Sequence, residues 1–400
     1  MELSFEKLAV LLLVAAVVAM LTRRLRLPYV VGLVAAGILM ALLPFSPQMQ
    51  LTKDLLFTAL LPPLIFEAAF YLSWMNLKKE LPVVLVLASL GVVFSAGITA
   101  AGMHFASHWP WSAALIFGAL IAATDPVSVI AAFKEAKVAG RLRLLIESES
   151  LFNDGTAAVL FAIVLEVALG HSWTPLEIAS RLSIMVGGSL VCGTVIGGLA
   201  LLLAGRTEDH LVEITLTTVT AYGSFLLAEQ LHFSGVLATL LSGLMLGTIG
   251  TRSTFSARGR EAVQAFWEYA AFVANSLIFL LIGMREASQN FLAEWPMIVA
   301  AICFVILGRI VAVYPCCAMF ARSSLRVTAQ HQHALCWGGL RGALALALAL
   351  ALPPEIPYRA SIITVSFAVV TFSVFVQGLT LTPLLRHLGE LSGMAQERRR

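Results

Sequence analysis

The chain has 400 residues, of which 59% are hydrophobic and only 12% charged, with a mean hydropathy of +0.91. A soluble domain carries about 25% charged residues, so this composition excludes a water-facing globular fold and points to a polytopic helical membrane protein. The net charge of +3 decides little, because in a membrane protein the distribution of charge matters more than its sum.

Apolar runs of about 20 residues suffice to cross a bilayer as helices. They predict spans near 6–22, 28–44, 51–72, 81–104, 111–133, 142–169 and 176–204. Six more follow near 211–230, 233–250, 262–284, 295–320, 332–352 and 359–385, about 13 in all. Met1–Thr22 does not read as a cleaved signal, since Glu2 and Glu6 stand at its front and no small-x-small site follows. Cys192, Cys303, Cys316, Cys317 and Cys336 fall inside apolar runs without metal-ligand spacing and read as small hydrophobes. The eight histidines lie mainly in loops or at span ends, where solvated surface roles are expected.

Loop charge supports this division. Alternate connections, with the C-terminal tail, hold 19 Lys and Arg residues, against 4 in the opposite set (Lys7, Lys53, Arg285 and Arg359). By the positive-inside rule the C-terminus is cytoplasmic and the N-terminus outside. Arg181 near the start of the seventh span can snorkel. Arg309 and Arg341 sit well inside the eleventh and twelfth.

An odd span count permits spans 1–6 and 8–13 to be inverted repeats, a common transporter plan. Breaks occur at matching places. "AATDPVSV" (Ala122–Val129) puts Pro126 in the fifth span, and "GGLRGA" (Gly338–Ala343) puts three glycines in the twelfth. Proline removes a backbone donor, and unwound helices at equivalent positions point to a binding site near the midplane.

Ionisable groups inside such spans are functional candidates by default. Asp154 lies about mid-span in the sixth, with Ser150 one turn earlier on the same face and Asn153 adjacent. These are the hard oxygen ligands that small alkali cations prefer. The fifth span can add Thr124, by carbonyl and hydroxyl, and Asp125, which could instead cap the second half of the break. Glu67, just after Pro62–Pro63, is another carboxylate among apolar residues. Leaving water penalises an ionised carboxylate, so it needs a proton or a cation to neutralise it. If Asp154 takes one or the other, a carrier that changes sides only when occupied exchanges the two, with no metal cofactor or ATP.

Glu149 precedes Asp154 by five positions, roughly 140° around the helix. It is expected to face away from the site and to form a structural pair with Arg309 or Arg341. Glu147, nearer the loop, is expected to be solvated. Arg341, in its glycine-rich break, could stabilise freed carbonyls or the end of the fifth span.

"ATDPVSV", "ESLFNDGTA", "RIVAVYP" (Arg309–Pro315) and "GGLRGALAL", in that order with "FEAAF" upstream, resemble the signature segments of the NhaP/NHE-type sodium/proton exchangers, the monovalent cation:proton antiporter-1 family. The resemblance covers almost the whole chain. It implies a thirteen-helix homodimer with two crossed, partly unwound helices. A transport part would lie at about 81–169 and 295–385, and a dimerisation part at about 1–72 and 176–284. Asp154 would bind the ion or proton, assisted by Ser150, Glu67 and Thr124, while Asn153 would hold the fifth span through Asp125. It also selects Arg309 as the partner of Glu149. Asparagine before Asp154 matches the electroneutral, one-for-one branch. The implied function is Na+ or Li+ exchange for H+ across the plasma (inner) membrane. A K+/H+ antiporter of the same fold is the alternative. Many relatives carry a long cytoplasmic regulatory tail; this chain ends at Arg400, so none is expected.

Two other classes fit less well. An intramembrane aspartyl protease would pair Asp125 with Asp154, but the glycines usual before the second aspartate are missing from "LFND", and proline follows Asp125. A passive channel would want rings of charges or oxygens along a pore, whereas the charges here are single.

Overall fold

Among hydrocarbon tails no water satisfies a bare backbone, so each crossing segment must hydrogen-bond internally. The computed structural model describes residues 5–25, 27–43, 51–125, 129, 133, 140–287, 289 and 291–389, and among them only helices and their connections occur. In chain order they are α1 (Phe5–Leu25), α2 (Tyr29–Ala41), α3 (Leu55–Tyr71), α4 (Trp74–Ser107) and α5 (Trp111–Ile121). There follow α6 (Arg141–Ala168), α7 (Pro175–Ala204), α8 (His210–Gln230), α9 (Gly235–Thr254) and α10 (Ala257–Glu286). The last are α11 (Trp295–Ala318), α12 (Ala329–Trp337), α13 (Ala343–Leu350) and α14 (Arg359–His387).

Nine of these, among the described residues, are long and apolar enough to cross a membrane. The shorter apolar α2, α3 and α5 and the paired half-helices α12 and α13 occupy the remaining predicted stretches. Several helix starts are set by side chains. Thr174, Asp209, Ser234, Ser256 and Thr328 each accept a backbone N–H from the turn they precede.

Two helix starts lie five or more residues ahead of the hydropathy reading. α4 begins at Trp74 rather than near 81, and α10 at Ala257 rather than near 262. In both, the helix continues past its apolar stretch through charged residues, since water solvates their side chains while the backbone ladder runs on. Pro126 lies outside the described residues. Arg181 does more than reach for the interface: it pairs with Glu166 at 2.7 Å and lies 3.9 Å over the Trp173 ring.

The helices pack in two groups. α1, α2, α3, α7, α8, α9 and α10 form one, and α4, α5, α6, α11, α12, α13 and α14 the other. α6 meets α7 and α9 across the divide, and α3 meets α6. Close helix approach relies on missing side chains. A Cβ on Gly283 would stand 2.2 Å from the Val34 carbonyl oxygen, and one on Gly37 would stand 2.2 Å from that of Leu280. This reciprocal glycine contact sets the α2–α10 distance.

Gly283→Ala is therefore expected to cost about 1–3 kcal/mol through overpacking and to lower the Tm of the purified protein. Gly97→Ala, where a Cβ meets nothing within 4 Å, should leave Tm unchanged or slightly raised. Thermal unfolding followed by size-exclusion chromatography checks both.

Candidate cation and proton site

Two helices end deep in the structure, and the non-helical stretches that follow them meet. α5 ends at Ile121 and the chain runs unwound through Asp125; α12 ends at Trp337 and helix resumes at Ala343. The Asp125 N–H donates to the Leu340 carbonyl at 2.7 Å, tying one break to the other. Glycine permits the approach, since a Cβ on Gly342 would lie 2.4 Å from the Asp125 Cβ.

Every unwound backbone group needs a partner. Arg341, only 2% exposed, donates from Nη1 to the carbonyls of Ala122 at 2.8 Å and Ala123 at 3.1 Å. This is the stabilisation of freed carbonyls expected of a guanidinium in that break. The Arg341 N–H donates to Ser373 Oγ at 2.8 Å, and Ser373 Oγ in turn donates to Gln377 Oε1 at 2.6 Å. Gln377 Nε2 reaches the Trp337 carbonyl at 3.4 Å. Ser373 and Gln377 were not singled out in the sequence. Two polar residues four apart in an apolar span share a helix face, a signal that was available.

Glu149 and Arg309 form a buried two-pronged pair. Nη1 donates to Oε1 at 2.6 Å and Nη2 to Oε2 at 2.9 Å, with Nη2 also reaching the Leu335 carbonyl at 3.0 Å. The geometry thus gives Glu149 to Arg309, not to Arg341. Fork-to-carboxylate pairing fixes orientation as well as distance, and here it locks α6 against α11 and the end of α12.

Asp154 is treated differently on the same helix. It belongs to none of the ion pairs among the described residues, and its Oδ1 is buried without a hydrogen-bond partner among them. With Thr124 and Asp125 it lines a pocket offering about 40 Å³ to water-sized occupants, closed by Gly342 and by α3 through Leu61, Leu64, Ile65 and Ala68. Asp125, Glu149 and Arg341 are within electrostatic reach. Ser150, fully buried, accepts a hydrogen bond from Thr124 Oγ1 at 3.1 Å and so stands directly behind the pocket wall.

Two predicted site residues sit elsewhere. Glu67 is half-buried on α3 but does not line the pocket; its neighbours Leu64 and Ala68 do. Asn153 donates from Nδ2 to Glu149 Oε1 at 3.2 Å, where the resemblance implied a hold on Asp125. Its Oδ1 is buried without a partner among the described residues. Glu147 is not simply solvated, since it pairs with Arg143 at 2.6 Å.

Two helix breaks meeting at a buried pocket lined by two carboxylates, Asp125 and Asp154, fit a membrane transporter site. A model of the transmembrane sodium/hydrogen exchangers matches residues 10–387. The chain is 38% identical to the low-affinity Na+/H+ antiporter NhaS1 of Synechocystis sp., over 98% of this chain and 76% of that protein. It is 33% identical to the Na+/H+ antiporter NhaH of Halobacillus aidingensis, over 96% and 98%. The solved sodium proton antiporter MjNhaP1 from Methanocaldococcus jannaschii shares the fold, with a TM-score of 0.78 at 21% identity over 97% and 98% of the two chains. The protein belongs to the sodium/hydrogen exchanger family, and is a multi-pass membrane protein.

Breaking the buried pair from one side leaves an uncompensated charge. Glu149→Ala and Arg309→Ala are each expected to cost about 3–5 kcal/mol, with the double variant recovering part of it. Folded yield and Tm of the four proteins measure the coupling; additive losses would contradict a direct pair.

Proposed function

We propose that this protein exchanges Na+ (or Li+) for H+ by competition at Asp154. The observation that carries the reading is the contrast on α6: Glu149 is neutralised by Arg309, whereas Asp154 faces a pocket and joins no ion pair among the described residues. An ionised carboxylate there is costly unless something neutralises it. A proton does so, and so does an alkali cation held by Asp154 with oxygens of Thr124 and Ser150. Glu67 on α3 completes the ligand set when α3 shifts against α6. Names of the relatives favour sodium over potassium.

Alternating access follows from the same cost. With a cation or proton bound the site is neutral and crosses; empty and charged, it does not. The two packing groups fit a transport part moving against a dimerisation part. Arg341 keeps the crossing intact as it moves. One proton per cation leaves the cycle electroneutral, in keeping with Asn153 where a second carboxylate would add charge. In this reading the protein is a homodimer in the plasma (inner) membrane. Its N-terminus lies outside and its C-terminus is cytoplasmic, supported by the 19-to-4 asymmetry of basic residues.

Asp154→Asn should abolish sodium-dependent proton movement in proteoliposomes while the protein still folds; retained exchange would remove the claim. Ser150→Ala, losing one ligand, should raise the apparent sodium KM about five- to tenfold, as expected for roughly 1 kcal/mol. For competition, apparent sodium KM should climb by up to about tenfold per pH unit at acid pH. A KM independent of pH would contradict shared binding.

A further inference from the structure

On the far flank of the crossing from Asp154 lies a second and larger cavity, of about 480 Å³, between α11, the α12 half-helix and α14. Arg309 and Arg341 both line it, and no carboxylate among the described residues does. The Nε of each arginine is buried with no hydrogen-bond partner among the described residues. Arg341 joins no ion pair among those residues either. A buried guanidinium without a carboxylate partner is costly, and Arg341 brings such a charge to the edge of this cavity.

The rest of the lining fits an anion with an apolar attachment. Exposed His333 and Thr380 and the half-buried Tyr314 supply polar groups, with Tyr314 Oη 2.6 Å from His333 Nδ1. Val305, Ile310 and Leu384 supply apolar wall. Ile310, part of that wall, is about 40% exposed, and in a membrane such an apolar surface faces acyl chains. The cavity thus joins a cationic floor to a lipid-facing flank, on the basic-rich side where α12 begins and α14 ends.

We infer that this cavity binds a phosphate-type oxyanion, carried on a lipid headgroup or free, through the guanidinium groups of Arg309 and Arg341. Its occupant offsets the positive charge of the arginines that hold the broken helices, and so stiffens the crossing without touching the Asp154 pocket. The inference does not depend on antiport, because it is read by stability.

The test measures Tm of the purified full chain in a neutral detergent at constant ionic strength. The additions are phosphatidylglycerol, phosphatidylcholine or inorganic phosphate. Phosphatidylglycerol should raise Tm by roughly 3 °C or more, and phosphatidylcholine should not. Thr380→Glu, which puts a carboxylate beside the cavity, and Leu384→Trp, which fills its wall, should each remove at least half of that rise. A rise with inorganic phosphate that both variants abolish supports the same site with a free anion as source; a rise with phosphatidylglycerol alone identifies the headgroup. No rise with either anion, an equal rise with phosphatidylcholine, or a rise unchanged in both variants overturns the inference.

Discussion

A chain that leaves helical geometry inside a membrane bares peptide groups that water would otherwise solvate, and each must find a partner in the protein. In this molecule two such interruptions are stacked, so that part of the debt is settled mutually by the Asp125–Leu340 bond. The remainder falls to side chains that can donate several hydrogen bonds at once. Arg341 takes the carbonyls of Ala122 and Ala123, Arg309 takes that of Leu335, and Ser373 accepts the Arg341 N–H. Arginine suits this task because its planar fork stays charged and offers five donors. What is gained is a gap in the helical packing, bordered by Thr124, Asp125 and Gly342, into which a carboxylate can point.

The two carboxylates of α6 divide the work. Five residues and roughly 140° apart, they meet different neighbours: a guanidinium for Glu149 and a small cavity for Asp154. A carboxylate held by two short hydrogen bonds to arginine has no use for a proton or a sodium ion. One without a basic partner has need of either. In the proposed reading rigidity and exchange are thereby separated along a single helix, with Asn153, next to Asp154, donating to Glu149. The same arrangement leaves charge on the arginines' other flank, where the larger cavity lies.

Much of this was legible in the residues. Hydrophobic length gave the helices, and "GGLRGA" gave the unwound stretch of residues 338–342, because three glycines and an arginine are poor company for a continuous apolar helix. Asp154 stood out as a charge among apolar residues. The partner of Glu149 did not, since Arg309 and Arg341 lie in different spans and only tertiary packing decides which one α6 meets. Where Asn153 donates is equally a matter of rotamer and neighbour. The Ser373–Gln377 contact is local, but its importance comes from Arg341 lying 32 residues away in sequence. Helix starts at Trp74 and Ala257 escaped hydropathy because charged residues extend a helix into water without extending its apolar face.

The account stands on one carboxylate being claimed in turn by a proton and an alkali cation. Calorimetric sodium titration of the detergent-solubilised protein, repeated in buffers of different ionisation enthalpy, counts the protons released per ion bound. Near the pH at which the site is half protonated, the account predicts a fractional release that climbs toward one as the pH is lowered and that vanishes with Asp154→Asn. Sodium binding that releases no proton at any pH would contradict it.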